Sequence, residues 1–171
     1  NKNKISDIVI INHFSENIVR NINQFRNLIY PTEKIFLKPR FILKNNKIEL
    51  VKIPILKSTD KNKIYNILEH EYFLPGKETG IITGINFSYT YNLYVILTSH
   101  HKFRAFFKNE PHSKQFYNIN HKSNALEITY LILKEFNNLA LKKKQTPLVT
   151  IIPHCKDLEY YKDNKKYPIK I

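Results

Sequence analysis

The residues of this chain best able to make specific contacts are gathered in one stretch, Ser113 to Ser123, which holds Lys114, Gln115, Phe116, Tyr117, Asn118, Asn120, His121 and Lys122. Cations neutralise phosphates, amides serve the edges of bases, and flat rings stack on bases, each stacked base being worth on the order of 1–3 kcal/mol. That mixture suits RNA and few reactions. Of the two rings, Phe116 is expected to serve the core, whereas for Tyr117 a core position and a base-stacking position are equally open. Asn92, His100, His101, Lys102, Arg104 and Ser123 complete the candidate RNA contacts, with Lys102 and Arg104 open to a second reading as solvated strand positions.

Spacing argues against most catalytic chemistry. His70-Glu71 lacks a second histidine four positions after the first, and His154-Cys155 has no second pair at ligand spacing, so no metal site and no cofactor is expected. His100 and His101 are adjacent, which on a strand sends them to opposite faces. Together with His112, His121 and His154 they leave one enzymatic alternative open, a His-dependent RNA-processing reaction. The lone Cys155 permits no internal disulfide, points to a reducing compartment and reads as a small hydrophobe.

The elements that would position these residues follow from periodicity. Ile85 to Thr98 places Phe87, Tyr89, Tyr91, Leu93, Val95 and Leu97 at alternate positions, the pattern of a strand with one buried face. Ser99 to Lys102 is the expected turn, Phe103 to Phe107 the returning strand, and Phe116 to Ile119 a short third strand or loop. A long helix then starts at Ser123 or Asn124, with Glu127 placed for a capping box and Ala125, Ile128, Ile132, Phe136, Leu139 and Ala140 on one face. Lys142 to Lys144 would end it, followed by a buried strand, Leu148 to Ile152, a short helix, Cys155 to Lys162, and an edge strand, Tyr167 to Ile171. The order predicts an α/β fold with a ribonuclease H-like motif (three-strand meander, long helix, further strand) and an N-terminal α+β extension. Nucleases of that motif hold two metal ions on strand and helix carboxylates. Here the first strand offers Ser88, Thr90, Asn92 and Thr98, the last ends in Pro153-His154, and Glu127 stands alone, so the chain is expected not to be an enzyme.

Before this unit, an apolar run at Ile8 to Ile11 precedes an expected helix from Ser15, carrying Ile18, Val19, Ile22, Phe25 and Ile29 and closed by Pro31. Arg40 to Leu43 and Ile48 to Val51 read as a hairpin about Asn45-Asn46, and Asp60 as the cap of a helix, Lys61 to Tyr72. All three glycines lie within Leu74 to Gly84, the expected linker between an extension, 1–80, and a second domain, 81–171.

Charge is the strongest global fact. Among 171 residues, 28 Lys and Arg face 14 Asp and Glu, a formal charge of +14 with pI near 9.7, the electrostatic footprint of a polyanion binder. A composition rich in Asn, Ile, Lys and Tyr accounts for part of the lysine and not for the imbalance. No run nears the roughly 20 apolar residues of a membrane helix, so no membrane partner is expected. The first residue is Asn1 and the sequence has no Met, so a targeting segment cannot be judged from it.

Residues 84–152 resemble the S-eleven family of small-subunit ribosomal proteins in a divergent organellar form. Ser88-Tyr89-Thr90-Tyr91-Asn92 precedes the strand Leu93 to Thr98, the hairpin follows at Ser99 to Lys102, and Ala105-Phe106-Phe107 ends the return. Phe116 and His121-Lys122-Ser123 stand close to the family's spacing, and the helix and next strand match in length. The loop and hairpin lack the family's glycines, and the hairpin its Asp. The resemblance implies a structural constituent of the mitochondrial small subunit, in the matrix, whose partners are rRNA and neighbouring ribosomal proteins with no small-molecule substrate. The L-eighteen family of the large subunit shares the motif and is the nearest rival.

Overall fold

Ile8 to Phe14 is a run of branched aliphatic and aromatic residues, a composition that fits a pleated, half-buried surface better than a helix. In the computed structural model, which describes residues 6–26, 36–53, 71–73 and 105–167, it forms strand β1 (Ile8–Phe14). Helix α1 (Asn17–Asn21), strands β2 (Arg40–Lys44) and β3 (Lys47–Val51), and a 3-10 turn (Lys114–Tyr117) follow. The long helix α2 (Ala125–Lys142), strand β4 (Thr146–Ile152) and helix α3 (Cys155–Asn164) complete the described chain. The architecture is mixed α/β, and among the described residues it holds one parallel and one antiparallel pair of strands.

The parallel pair joins the two ends of the described chain. β1 and β4 run in register from Ile8 opposite Thr146 to Phe14 opposite Ile152. Asp7 accepts from the Thr146 N–H at 2.7 Å at one end, and the Ser15 N–H donates to Ile152 at 3.2 Å at the other. A parallel pair requires a crossover of a dozen residues or more. Here nearly the whole protein is that crossover, so residues of the expected extension and of the expected second domain share one sheet. The boundary near residue 80 lies outside the described residues.

The antiparallel pair is the hairpin that the two asparagines predict. Asn45 and Asn46 both have positive φ, 51° and 58°, as a two-residue hairpin turn requires. Pairing reaches from Lys44–Lys47 to Arg40–Val51.

The first helix is shorter than its periodicity predicts. After Asn21 the backbone leaves the helix because the fully buried Glu71 carboxylate takes its N–H groups: Oε2 accepts from Gln24 at 2.9 Å and from Phe25 at 2.6 Å. The Arg20 carbonyl, which Gln24 would meet in a continuing helix, accepts from the Lys38 ammonium and from the Asn23 N–H instead. Ile29 and Pro31 lie outside the described residues, as do the expected strand Ile85 to Thr98, the linker, all of the expected helix before Glu71 and the final strand beyond Tyr167.

Two further expectations are corrected. Residues 105–107, expected as the end of a returning strand, are helical, and the turn closes with Glu110 N–H donating to Ala105 and Asn109 N–H to Phe106. Asn124 begins the long helix without a capping box: its φ of 52° points the side chain away, and Ser123 Oγ accepts from the Ala125 N–H at 3.3 Å in its place.

The core gathers Ile18, Val19 and Ile22 of α1, Phe116 and Tyr117 of the 3-10 turn, Ala125 and Ile128 of α2, and Phe73. Phe41, Leu43, Tyr72, Leu126 and Ile132 pack around them. Only the first turns of α2 meet this core closely. Leu139, placed on the inner face by its spacing, is half exposed.

Candidate nucleic-acid interface

The loop before α2 is built outward from two anchors. Within the 3-10 turn, tight spacing brings Phe116 and Tyr117 inward together, and both are buried. The Tyr117 hydroxyl donates to the Ser15 carbonyl at 2.9 Å and lies 3.1 Å from His13 Nε2. Burial, with the Asp157 charge in second place, pushes the ionisation of that hydroxyl far up, and burial pushes His13 down, so neither charges readily. Of the two readings open for Tyr117, the structure takes the core position and leaves no ring face for a base.

His121 is half-buried as well. Its ring meets Phe116 edge to face at 4.7 Å, and Nδ1 lies 2.7 Å from Ser123 Oγ, a contact that ties the loop to the first turn of α2. Lys114 donates to Glu110 Oε1 at 2.6 Å and to the Tyr160 hydroxyl at 2.8 Å. Partial burial works against its charge, but these two hydrogen bonds and the Glu110 carboxylate outweigh it and raise the pKa above the ordinary lysine value. Gln115 is half-buried, with Nε2 enclosed and unpartnered among the described residues.

What remains outward is a short crest. Asn118, Ile119, Asn120 and Lys122 are exposed, Ile119 at 80%, and the Asn118 side chain accepts from the Asn120 N–H at 3.0 Å to hold the turn. The structure therefore brings Asn118, Asn120 and Lys122 together at the surface, sets His121 and Ser123 at its edge, and draws Tyr117 and Lys114 inward. Asn92, His100, His101, Lys102 and Arg104 lie outside the described residues. Ile119 was not a candidate, and an isolated isoleucine in a polar run carries no signal of exposure.

A second polar cluster lies behind the loop, at the carboxyl ends of the two parallel strands, the place where α/β sheets commonly bind ligands. Glu16, two residues after β1, has Oε1 3.9 Å from His112 Nε2 and 3.7 Å from His154 Nε2, the latter two residues after β4. His154 caps α3: its N–H donates to the buried Asp157 carboxylate at 2.7 Å. Two imidazoles about one carboxylate can hold or pass a proton. Sequence spacing separates the three by nearly the whole chain, and Glu16 lies beside Ser15, where only a helix start was expected. No group of three or more His, Cys, Asp or Glu among the described residues is arranged to hold a metal ion.

The buried charges around Glu71 form a third cluster, and it is structural. Burial pushes the Glu71 carboxyl up, against backbone donors from Phe25 and Gln24, the Arg40 guanidinium at 3.8 Å and the Asn23 amide. Lys38 is pushed down to about 8, first by burial and then by Arg20, Arg40 and Arg26, with Glu71 opposing.

No helix among the described residues is long and apolar enough to cross a membrane. Comparison of the chain with family models, with curated proteins and with solved structures finds no match.

Proposed function

We propose that the protein is a non-catalytic, RNA-binding constituent of a ribonucleoprotein. By the S-eleven resemblance that particle is the small subunit of a mitochondrial ribosome, in the matrix, with rRNA and neighbouring ribosomal proteins as partners. The supporting observation is the combination of a +14 chain with an exposed Asn118–Lys122 crest held on the buried anchors Phe116 and Tyr117. A crest so anchored loses little freedom on binding, and preorganisation of that kind favours affinity. In the finer reading of the fold, α2 and the parallel strand β4 are the second half of a ribonuclease H-like motif. Their order supports it, while the parallel partner described for β4 is β1, outside the resembling segment.

Co-sedimentation tests the reading. The protein is expected to travel with a small ribosomal subunit at moderate salt, and sedimentation with the large subunit favours the L-eighteen alternative. Absence from both particles removes the ribosomal reading.

A second reading rests on the Glu16, His112 and His154 cluster: an RNA-processing enzyme using histidine as acid or base. Incubating the pure protein with mixed RNA decides it. Cleavage abolished by His112→Ala and His154→Ala supports this reading, and intact RNA with the parent protein excludes it.

A further inference from the structure

We infer that the cleft between residues 105–112 and α3 receives one unstacked base of single-stranded RNA, preferring a base with an exocyclic amino group. The inference rests on the RNA-binding reading and names a site outside the loop that first suggested it. The cleft measures about 550 Å³, within the size range of small-molecule pockets, and admits a nucleobase.

Its walls have the chemistry of base recognition. Phe106 lines one side and is 79% exposed, beside Phe107 at 78%, the two rings meeting edge to face at 5.9 Å. Scattered exposed apolar residues are ordinary, but an exposed ring on the wall of a cleft offers a stacking surface. Tyr160 lines the opposite side from α3. The Lys114 ammonium holds that residue in place, bonded to its hydroxyl and 4.5 Å from its ring centre, and bonded also to Glu110 on the near wall. Ring and carboxylate are thus set before any ligand arrives.

Charge decides between base and phosphate. Glu110, Glu159 and Asp163 line the cleft against Lys156 and Lys162, and Lys156 is drawn to Glu159 at 3.1 Å. A lining balanced by Lys114, Lys156 and Lys162 gives a phosphate no net positive charge to seek, but it keeps three carboxylates. They accept hydrogen bonds from N–H groups, as acidic side chains do from the amino group of cytosine. Adenine, cytosine and guanine present an exocyclic amino group with two N–H donors, whereas uracil offers only its single ring N3–H. The sugar-phosphate backbone is left to cations outside the cleft.

The test is fluorescence anisotropy of the full chain with labelled single strands of oligo-A, oligo-C and oligo-U, each about ten nucleotides long, and with an RNA duplex of equal length. The parent protein is expected to bind oligo-A and oligo-C more tightly than oligo-U. Phe106→Ala should weaken oligo-A and oligo-C by roughly 5- to 100-fold, the loss of one stacked base, with the duplex changed less than about twofold. Phe106→Tyr, which keeps a stackable ring, should retain most of the affinity. The inference is overturned if Phe106→Ala leaves single-strand affinity intact, in which case RNA binding itself still stands and the cleft serves another partner. Equal losses for single strand and duplex overturn it too, as a general disturbance of the surface. A parent protein that binds neither RNA removes the RNA-binding reading and this inference with it.

Discussion

Phe106 and Phe107 stand 79% and 78% exposed, while Phe116 and Tyr117, one short loop further on, are 0% and 6% exposed. The two pairs are alike in chemistry and in their basic, amide-rich surroundings. Their fates diverge because the 3-10 turn under Phe116 and Tyr117 packs with α1 and the start of α2, whereas the helical turn at 105–107 lines a cleft. Ring content therefore marks where an aromatic contact can occur, and the packing of distant elements decides whether a core or a ligand receives it. The lysines repeat the contrast: Lys38 is half-buried in the field of Arg20, Arg26, Arg40 and Glu71, and Lys122 stands in water.

The sharpest way to break this comparison is truncation of the rings. Phe116→Ala should cost about 3–5 kcal/mol in denaturant unfolding, as buried aromatic deletions do, while Phe106→Ala should stay within about 0.5 kcal/mol. Similar losses at both would mean that the exposed pair is part of the core.

The charged contrast is next in size. A lysine that titrates at about 8 when folded and 10.5 in the reference state binds fewer protons folded than unfolded between those values, so stability rises with pH across that window. The gain should be of the order of 2–3 kcal/mol in the protein and absent in Lys38→Met. Parallel unfolding curves from pH 8 to 10.5 for both proteins would show that Lys38 is solvated.

Tyr117→Phe keeps the buried ring and removes only the hydroxyl, leaving the Ser15 carbonyl and His13 short of a partner. Thermal or denaturant unfolding should show a loss of about 1–3 kcal/mol. A change below that range would place water at the hydroxyl.

Lys122→Ala should be the mildest. Stability stays within about 0.5 kcal/mol, and RNA affinity falls for single strand and duplex alike, with the dependence of log affinity on log salt flattening by roughly 1. An unchanged salt slope would remove Lys122 from the phosphate contacts.

Much of the local structure can be read from neighbouring residues. Asn45-Asn46 specify their turn, since asparagine tolerates positive φ, and α2, β4 and α3 sit close to where their periodicity and caps place them. The candidate site was legible only as composition. Its exposed crest, Asn118 to Lys122, fell within the basic loop, but Tyr117 and Lys114 turned inward, the expected capping box of Asn124 with Glu127 did not form, and the cleft at Phe106 lay in a segment read as a strand.

By itself, then, the sequence determined the charge of the protein, the identity of its local turns and the span of its long helix, because those depend on residues within a few positions of one another. Tertiary structure alone decided that Ile8 to Phe14 would lie along Thr146 to Ile152 and that Glu71 would stop the first helix. It also decided that His112 and His154 would meet at Glu16 and that one aromatic pair would be hidden and the other left open. Each of these is a contact between distant parts of the chain, and burial and hydrogen-bond satisfaction across such distances leave no pattern in the local order of residues.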